Sequence, residues 1–193
     1  MLRLLVIFVA VVGGALLTVP TRAQETNACL PFPATKLEAF ETNTDTVIIK
    51  ATAPIGTVSA HGGGVAVRCR EITDAGTGHR EIGIIIDIAF DAQLEGATLI
   101  DYDELDSLLD GLEYLGKLEW SVTSLPEFTA VYTTKGGFRA DAHGSRSTGS
   151  IEFAVRNIRL ITPRLKLSRD QLSQLRSLIE QAKTKLDSLH KAK

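Results

Sequence analysis

Between Arg80 and Phe90 the chain reads REIGIIIDIAF, with Ile82, Ile84, Ile86, Ile88 and Phe90 on one parity and Gly83, Ile85, Asp87 and Ala89 on the other. A period of two marks a strand, because successive side chains leave opposite faces of the pleat. One face here is wholly apolar and the other half apolar, so the segment needs cover on both sides. It belongs in the middle of a sheet, and the rest of the fold has to be built around it.

Other short β-patterned runs stand on either side, separated by Gly, Asn and Asp turns. Before it come Thr35 to Glu41, Thr46 to Ala53 and Val65 to Ile72; after it come Phe128 to Thr134, Phe138 to Ala142 and Ser150 to Ile161. Gly136-Gly137 in "TKGGF" suits a two-residue hairpin turn, since both glycines tolerate positive φ. In the last run Ile151, Phe153 and Val155 share one parity while Ile158 and Leu160 take the other, so Asn157 marks a bulge or corner.

Two segments carry helical periodicity instead. Over residues 101–120, "DYDELDSLLDGLEYLGKLEW", Leu105, Leu108, Leu109, Leu112 and Leu115 fall on one side and Asp103, Asp106, Asp110 and Glu113 on another. That is an amphipathic helix with its carboxylates outward, Asp101 and Glu104 having the spacing of a capping box. From Ser168 onward, Leu172, Leu175, Ile179, Ala182, Leu186 and Leu189 form a single stripe, opened by Ser168 and Gln171 as a second capping box. Strands therefore run consecutively rather than alternating with helices. The expectation is an α+β single domain: an antiparallel sheet of about seven strands with one helix inserted mid-chain and one C-terminal helix.

The first residues predict export. Arg3 precedes an apolar run from Leu4 to Leu17, and Thr21-Arg22-Ala23 ends on a small residue, the order of parts in a secretory leader cleaved near Ala23. The run is short for a membrane span. The domain reading is a signal peptide over 1–23, an N-terminal extension over 24–34 and the α+β domain over 35–193, in the periplasm or secreted. In such a compartment the isolated cysteines Cys29 and Cys69 are expected to bridge, tying down the extension by about 3–4 kcal/mol in the chain-entropy model.

Charge bounds the partners. Of 21 basic residues Arg3 and Arg22 fall in the leader, leaving an excess of acid against 23 carboxylates, which argues against nucleic acid. The distribution is uneven: residues 71–119 hold 13 acids and two bases, residues 135–193 hold 13 bases and five acids. The expectation is that the two halves face and neutralise each other, with a partner surface as the sharper reading. Lys135, Arg139, Arg146, Arg156, Arg159, Arg164 and Lys166 form a basic stripe of the kind that binds anions or phospholipid headgroups, and the plainer reading salts it against the acidic helix.

Common catalytic motifs are missing. The acidic segment fails as a calcium loop, its fifth position being Leu105 and its twelfth Leu112. "HGGG" at 61–64 resembles an oxyanion stretch, yet no G-x-S-x-G elbow accompanies it, which favours a glycine-rich hairpin. His61, His79, His143 and His190 have no zinc-ligand spacing, and no phosphate-cradling loop occurs. No catalytic, cofactor or metal residue is assigned.

Three stretches, "DYDELDSLLDGLEYL", "VYTTKGGF" and "LIEQAKTKLDSL", resemble a family of exported bacterial domains across residues 80–190. The resemblance implies one domain and a bacterial source, and brings no activity. The functional expectation is a non-enzymatic binding or structural module whose partner is a protein or envelope component. The first alternative is a carrier of a small hydrophobic ligand or lipid; the second is a small hydrolase using His61 or His143.

Overall fold

The computed structural model describes residues 32–90, 93–160 and 163–190. The expected leader, its cleavage point at Ala23 and Cys29 lie outside the described residues. Among the described residues eight strands form two four-stranded antiparallel sheets rather than a single sheet of seven, while the α+β class stands. The first sheet runs β1 (Ile48–Ala60), β2 (Gly63–Asp74), β3 (Arg80–Phe90), β4 (Gln93–Asp101), and the helix α2 (Leu105–Gly116) follows it. The second runs β5 (Glu127–Thr133), β6 (Phe138–Ser145), β7 (Ser150–Asn157), β8 (Leu165–Leu167), and α3 (Arg169–His190) follows it. A short helix, α1 (Lys36–Glu41), precedes them all.

The isoleucine run behaves as its pattern requires. β3 lies between β2 and β4, and Ile84, Ile86 and Ile88 are buried in the main core. The opposite face is covered at one end by α1, whose Leu37 and Phe40 pack on Ile72.

Thr35 to Glu41 is this helix and not a strand. Thr35 caps it, its hydroxyl accepting from Glu38 N at 3.0 Å, while Glu38 Oε2 accepts from Ala34 N at 2.7 Å. The T-x-x-E spacing outweighed the alternation around it. β1 extends past Ala53 to Ala60 because Pro54 stands on an edge strand, beside a register shift at Ile55 where a missing N–H breaks nothing. β4 had no expected counterpart, and neither had the three-residue β8.

Each helix lies on the sheet of the other half. α3 crosses β1, β2 and β3, whereas α2 rests on β5 and β6 and against α3. Leu105, Leu108, Leu112, Leu175, Ile179 and Leu186 are buried in one core with residues of both sheets. Gly111 lets α2 approach β5 closely, because a Cβ there would strike the Tyr132 ring. Neither half covers the core-facing side of its own sheet with its long helix, so the two form one cooperative unit.

Ser168 caps α3 as its spacing predicts: Gln171 N donates to Ser168 Oγ at 3.1 Å, and Ser168 N donates to Gln171 Oε1 at 2.7 Å. Asp101 and Glu104 do not cap α2. A 3-10 turn over Tyr102–Glu104 intervenes, and neither side chain makes a cap hydrogen bond there. Asp101 ends β4, and its carboxylate accepts from Lys36 N at 2.8 Å and Leu37 N at 3.1 Å, the first turn of α1. The TKGGF hairpin closes through Thr134 to Gly137 rather than two residues, Gly137 N donating to Thr134 O at 3.0 Å with Gly137 at φ 91°. β7 stops at Asn157, the corner its parity change marks.

Candidate functional site

The second sheet has one face in the core and one outside. Phe138, Ala140 and Ala142 of β6 and Phe153 and Val155 of β7 point inward, so alternation turns Arg139, Asp141 and His143, with Glu152, Ala154 and Arg156, to the outer face. The strand register arranges these in rows. Thr133, Arg139 and Arg156 are successive cross-strand partners on β5, β6 and β7; Val131, Asp141, Ala154 and Lys166 form the next row; Thr129, His143 and Glu152 the one after.

The first row is electrostatically incomplete. Arg139 and Arg156 stand directly opposite each other, both half-buried. Among the described residues neither guanidinium makes a hydrogen bond or ion pair, and the Nε of each is buried without an acceptor. A buried donor left unpaired costs about 1–3 kcal/mol, and like charges directly across a strand pair repel. The neighbouring carboxylate does not relieve them: Asp141, 3% exposed, pairs with Arg164 through Oδ2, and its Oδ1 has no hydrogen-bond partner. Lys166 pairs with Glu152 at 3.0 Å. Two further arginines of the basic stripe are engaged elsewhere, while Lys135 bonds Glu104 through its backbone N. Arg159 bonds Glu38 at 2.5 Å, and Arg146 donates to the carbonyls of Trp120, Thr123 and Leu125.

The expected neutralisation of the acidic helix comes from α3, not from the strand arginines. Arg176 reaches Glu113 at 2.8 Å and Lys183 reaches Asp106 at 3.5 Å. Asp103, Asp106 and Asp110 are exposed and the five leucines of α2 are buried, as its periodicity requires. The hydrogen bond from Lys36 holds the Asp103 carboxyl below the usual range. The cleft of about 590 Å³ between the C-terminal end of α2 and the start of α3 is lined by Leu112, Glu113, Lys117, Arg169, Leu172 and Arg176, a wall of leucines ringed by charge.

The structure distributes the histidines. His61 sits in the two-residue turn between β1 and β2, with Gly62 at φ 74°, so HGGG is a hairpin as expected. His79 precedes β3, stacked on Phe40 at 5.2 Å and 3.2 Å from Glu81. His143 lies on β6, its Nδ1 3.1 Å from Thr129 Oγ1. His190 ends α3. Thr129, His143 and Glu152 place hydroxyl, imidazole and carboxylate in one row, yet β6 is an inner strand whose backbone is committed to ladders on both sides. No N–H is left there to stabilise an oxyanion. Among the described residues no three His, Cys, Asp or Glu side chains group as metal ligands.

Cys69 of the expected bridge is 4% exposed, its Sγ 3.6 Å from the Ala182 carbonyl under α3, and burial pushes its thiol up. Among the described residues no helix is long and apolar enough to cross a membrane.

No protein-family profile and no curated protein matches the chain. Among solved structures, it is similar to the plant transcriptional regulator PBF-2 at 16% identity, over 77% of this chain and 87% of that one, with a TM-score of 0.28. A likeness at that level brings no function with it.

Proposed function

We propose that the protein is an exported, non-enzymatic binding module that docks on an anionic lipid surface of the cell envelope through the outer face of β5–β8. The observation that carries this reading is the opposed, unpartnered pair Arg139 and Arg156 on a face where Lys166 of β8 and the adjoining Arg164 are already paired. Arginine suits the role because its guanidinium is always charged, weakly hydrated and matched to oxyanions. The acidic surface of α2 lies on the element packed behind this sheet, which orients the molecule with one charged side toward the surface and the other away from it.

The carrier alternative finds less support, since the cleft beside α2 and α3 sets five charged side chains, Glu113, Lys117, Arg169, Asp170 and Arg176, around its leucines. The hydrolase alternative finds less again: His61 stands in a turn, and the hydroxyl beside His143 belongs to Thr129 on the neighbouring strand.

Cosedimentation with vesicles tests the proposal. The protein should pellet with phosphatidylglycerol-containing vesicles at low salt and not with phosphatidylcholine alone, and binding should fall as ionic strength rises. Arg139→Gln with Arg156→Gln should abolish it. Undiminished binding by that double variant, or no binding by the wild type, refutes the reading.

A further inference from the structure

Resting on that reading, we infer that Arg139 and Arg156 form a single seat for a phosphate monoester group, rather than two members of a diffuse positive patch. Three features of the fold point there.

The first is spacing. Residues directly opposite on antiparallel strands hold their Cβ atoms about 4.5–5.5 Å apart, so the Arg139–Arg156 register roots the two side chains next to each other on one face, within reach of a common ligand. Each offers a planar fork of donors and no acceptor, and two forks converge more naturally on a tetrahedral group with several oxygens than on one planar carboxylate.

The second is the lack of an internal counter-charge. Asp141, two residues along β6 on the same face, is held by Arg164, and Glu152 by Lys166. Among the described residues no carboxylate makes a hydrogen bond or ion pair with either guanidinium, and the unpartnered Asp141 Oδ1, in the next row, does not bond them. A monoester near neutral pH carries about −1.5 to −2, which matches two guanidiniums; a phosphodiester carries a single charge and leaves one of them unmatched.

The third is the third member of the row. Thr133 is exposed at the β5 position across from Arg139, so a hydroxyl that can donate flanks the two forks. The row Thr133–Arg139–Arg156 is therefore a line of donors across three hydrogen-bonded strands, with β6 paired on both sides. Such a scaffold holds its side chains in place before the ligand arrives.

The experiment is a titration of the full chain with inorganic phosphate, followed by NMR of the arginine Nε–H signals, alongside cosedimentation with vesicles of matched charge carrying phosphatidic acid or phosphatidylglycerol. The expected result is saturable one-to-one phosphate binding that moves the Arg139 and Arg156 Nε–H signals, weakened about tenfold or more by either Arg→Gln change, with phosphatidic acid preferred over phosphatidylglycerol. Lys50→Gln, on β1 of the other sheet and paired with Glu41, should leave the affinity unchanged. The wild-type signals report the site even where a variant folds poorly. If the two lipids bind equally and phosphate moves neither arginine, the single seat is overturned while the lipid-docking reading survives. If phosphate binds at the two arginines and no vesicle does, the seat stands and the docking reading falls.

Discussion

Glu104 is the side chain whose surroundings most oppose its charge. It is 9% exposed; Oε1 accepts from Lys135 N at 2.8 Å, while Oε2 is buried with no partner. Burial raises its pKa, the nearby Asp101 and Asp103 carboxylates add to the rise, and Lys135 offsets only part of it. The folded state thus holds this proton more tightly than the unfolded chain, whose value is the ordinary 4.5. The stabilisation is complete below that value and is lost as pH rises through the higher folded one. Glu104→Gln keeps an acceptor for Lys135 N and carries no charge to desolvate. Its urea midpoint should exceed that of the wild type near pH 7, and the gap should close toward pH 4. A gap independent of pH would exclude Glu104 as the titrating group. Nothing in D-x-x-E spacing distinguishes a buried glutamate of this kind from a helix cap, because the distinction depends on the hairpin that comes to lie over it.

Helix α1 depends on an element far along the chain. Asp101, at the end of β4, accepts the first two N–H groups of α1, across 65 and 64 residues, and is 2% exposed. Asp101→Ala should therefore destabilise the protein by about 2 kcal/mol, with the earliest hydrogen-exchange losses in α1 and not in α2. Were Asp101 the cap of α2, that helix would loosen first. Elements with strong local signals were legible in the sequence: β3 by alternation, α2 and α3 by their leucine stripes, and the start of α3 by Ser168 and Gln171. Those set by tertiary pairing were not. β4 runs QLEGATLID, with Gly96 in its middle, and its side chains gain meaning only beside β3. β8 is three residues long, too short for any period. The T-x-x-E of Thr35 and Glu38 is a local helix signal set against an alternation of apolar and polar residues that favours a strand. At the site, the parity of Phe138, Ala140 and Ala142 already sent Arg139 outward. What parity could not supply was register, and register is what sets Arg139 opposite Arg156.

At the scale of the molecule, the chain makes the same unit twice, a four-stranded meander and a helix, and then exchanges the helices so that each covers the other's sheet. The exchange turns two half-covered sheets into a shared core and leaves the outer face of β5–β8 without a helix of its own. It also brings α3 beside α2, where Arg176 and Lys183 take up the acidic charge that the strand arginines were expected to meet. Arg139 and Arg156 are left over by that arrangement, and the docking proposal rests on them. The most direct test is paramagnetic broadening of NMR signals by a spin-labelled headgroup in anionic bicelles. The account predicts that the Arg139 and Arg156 side-chain signals and the outer-face residues of β6 and β7 broaden first, with α2 and β1 spared. Broadening centred instead on the lysines of α3, with Arg139 and Arg156 untouched, would contradict it.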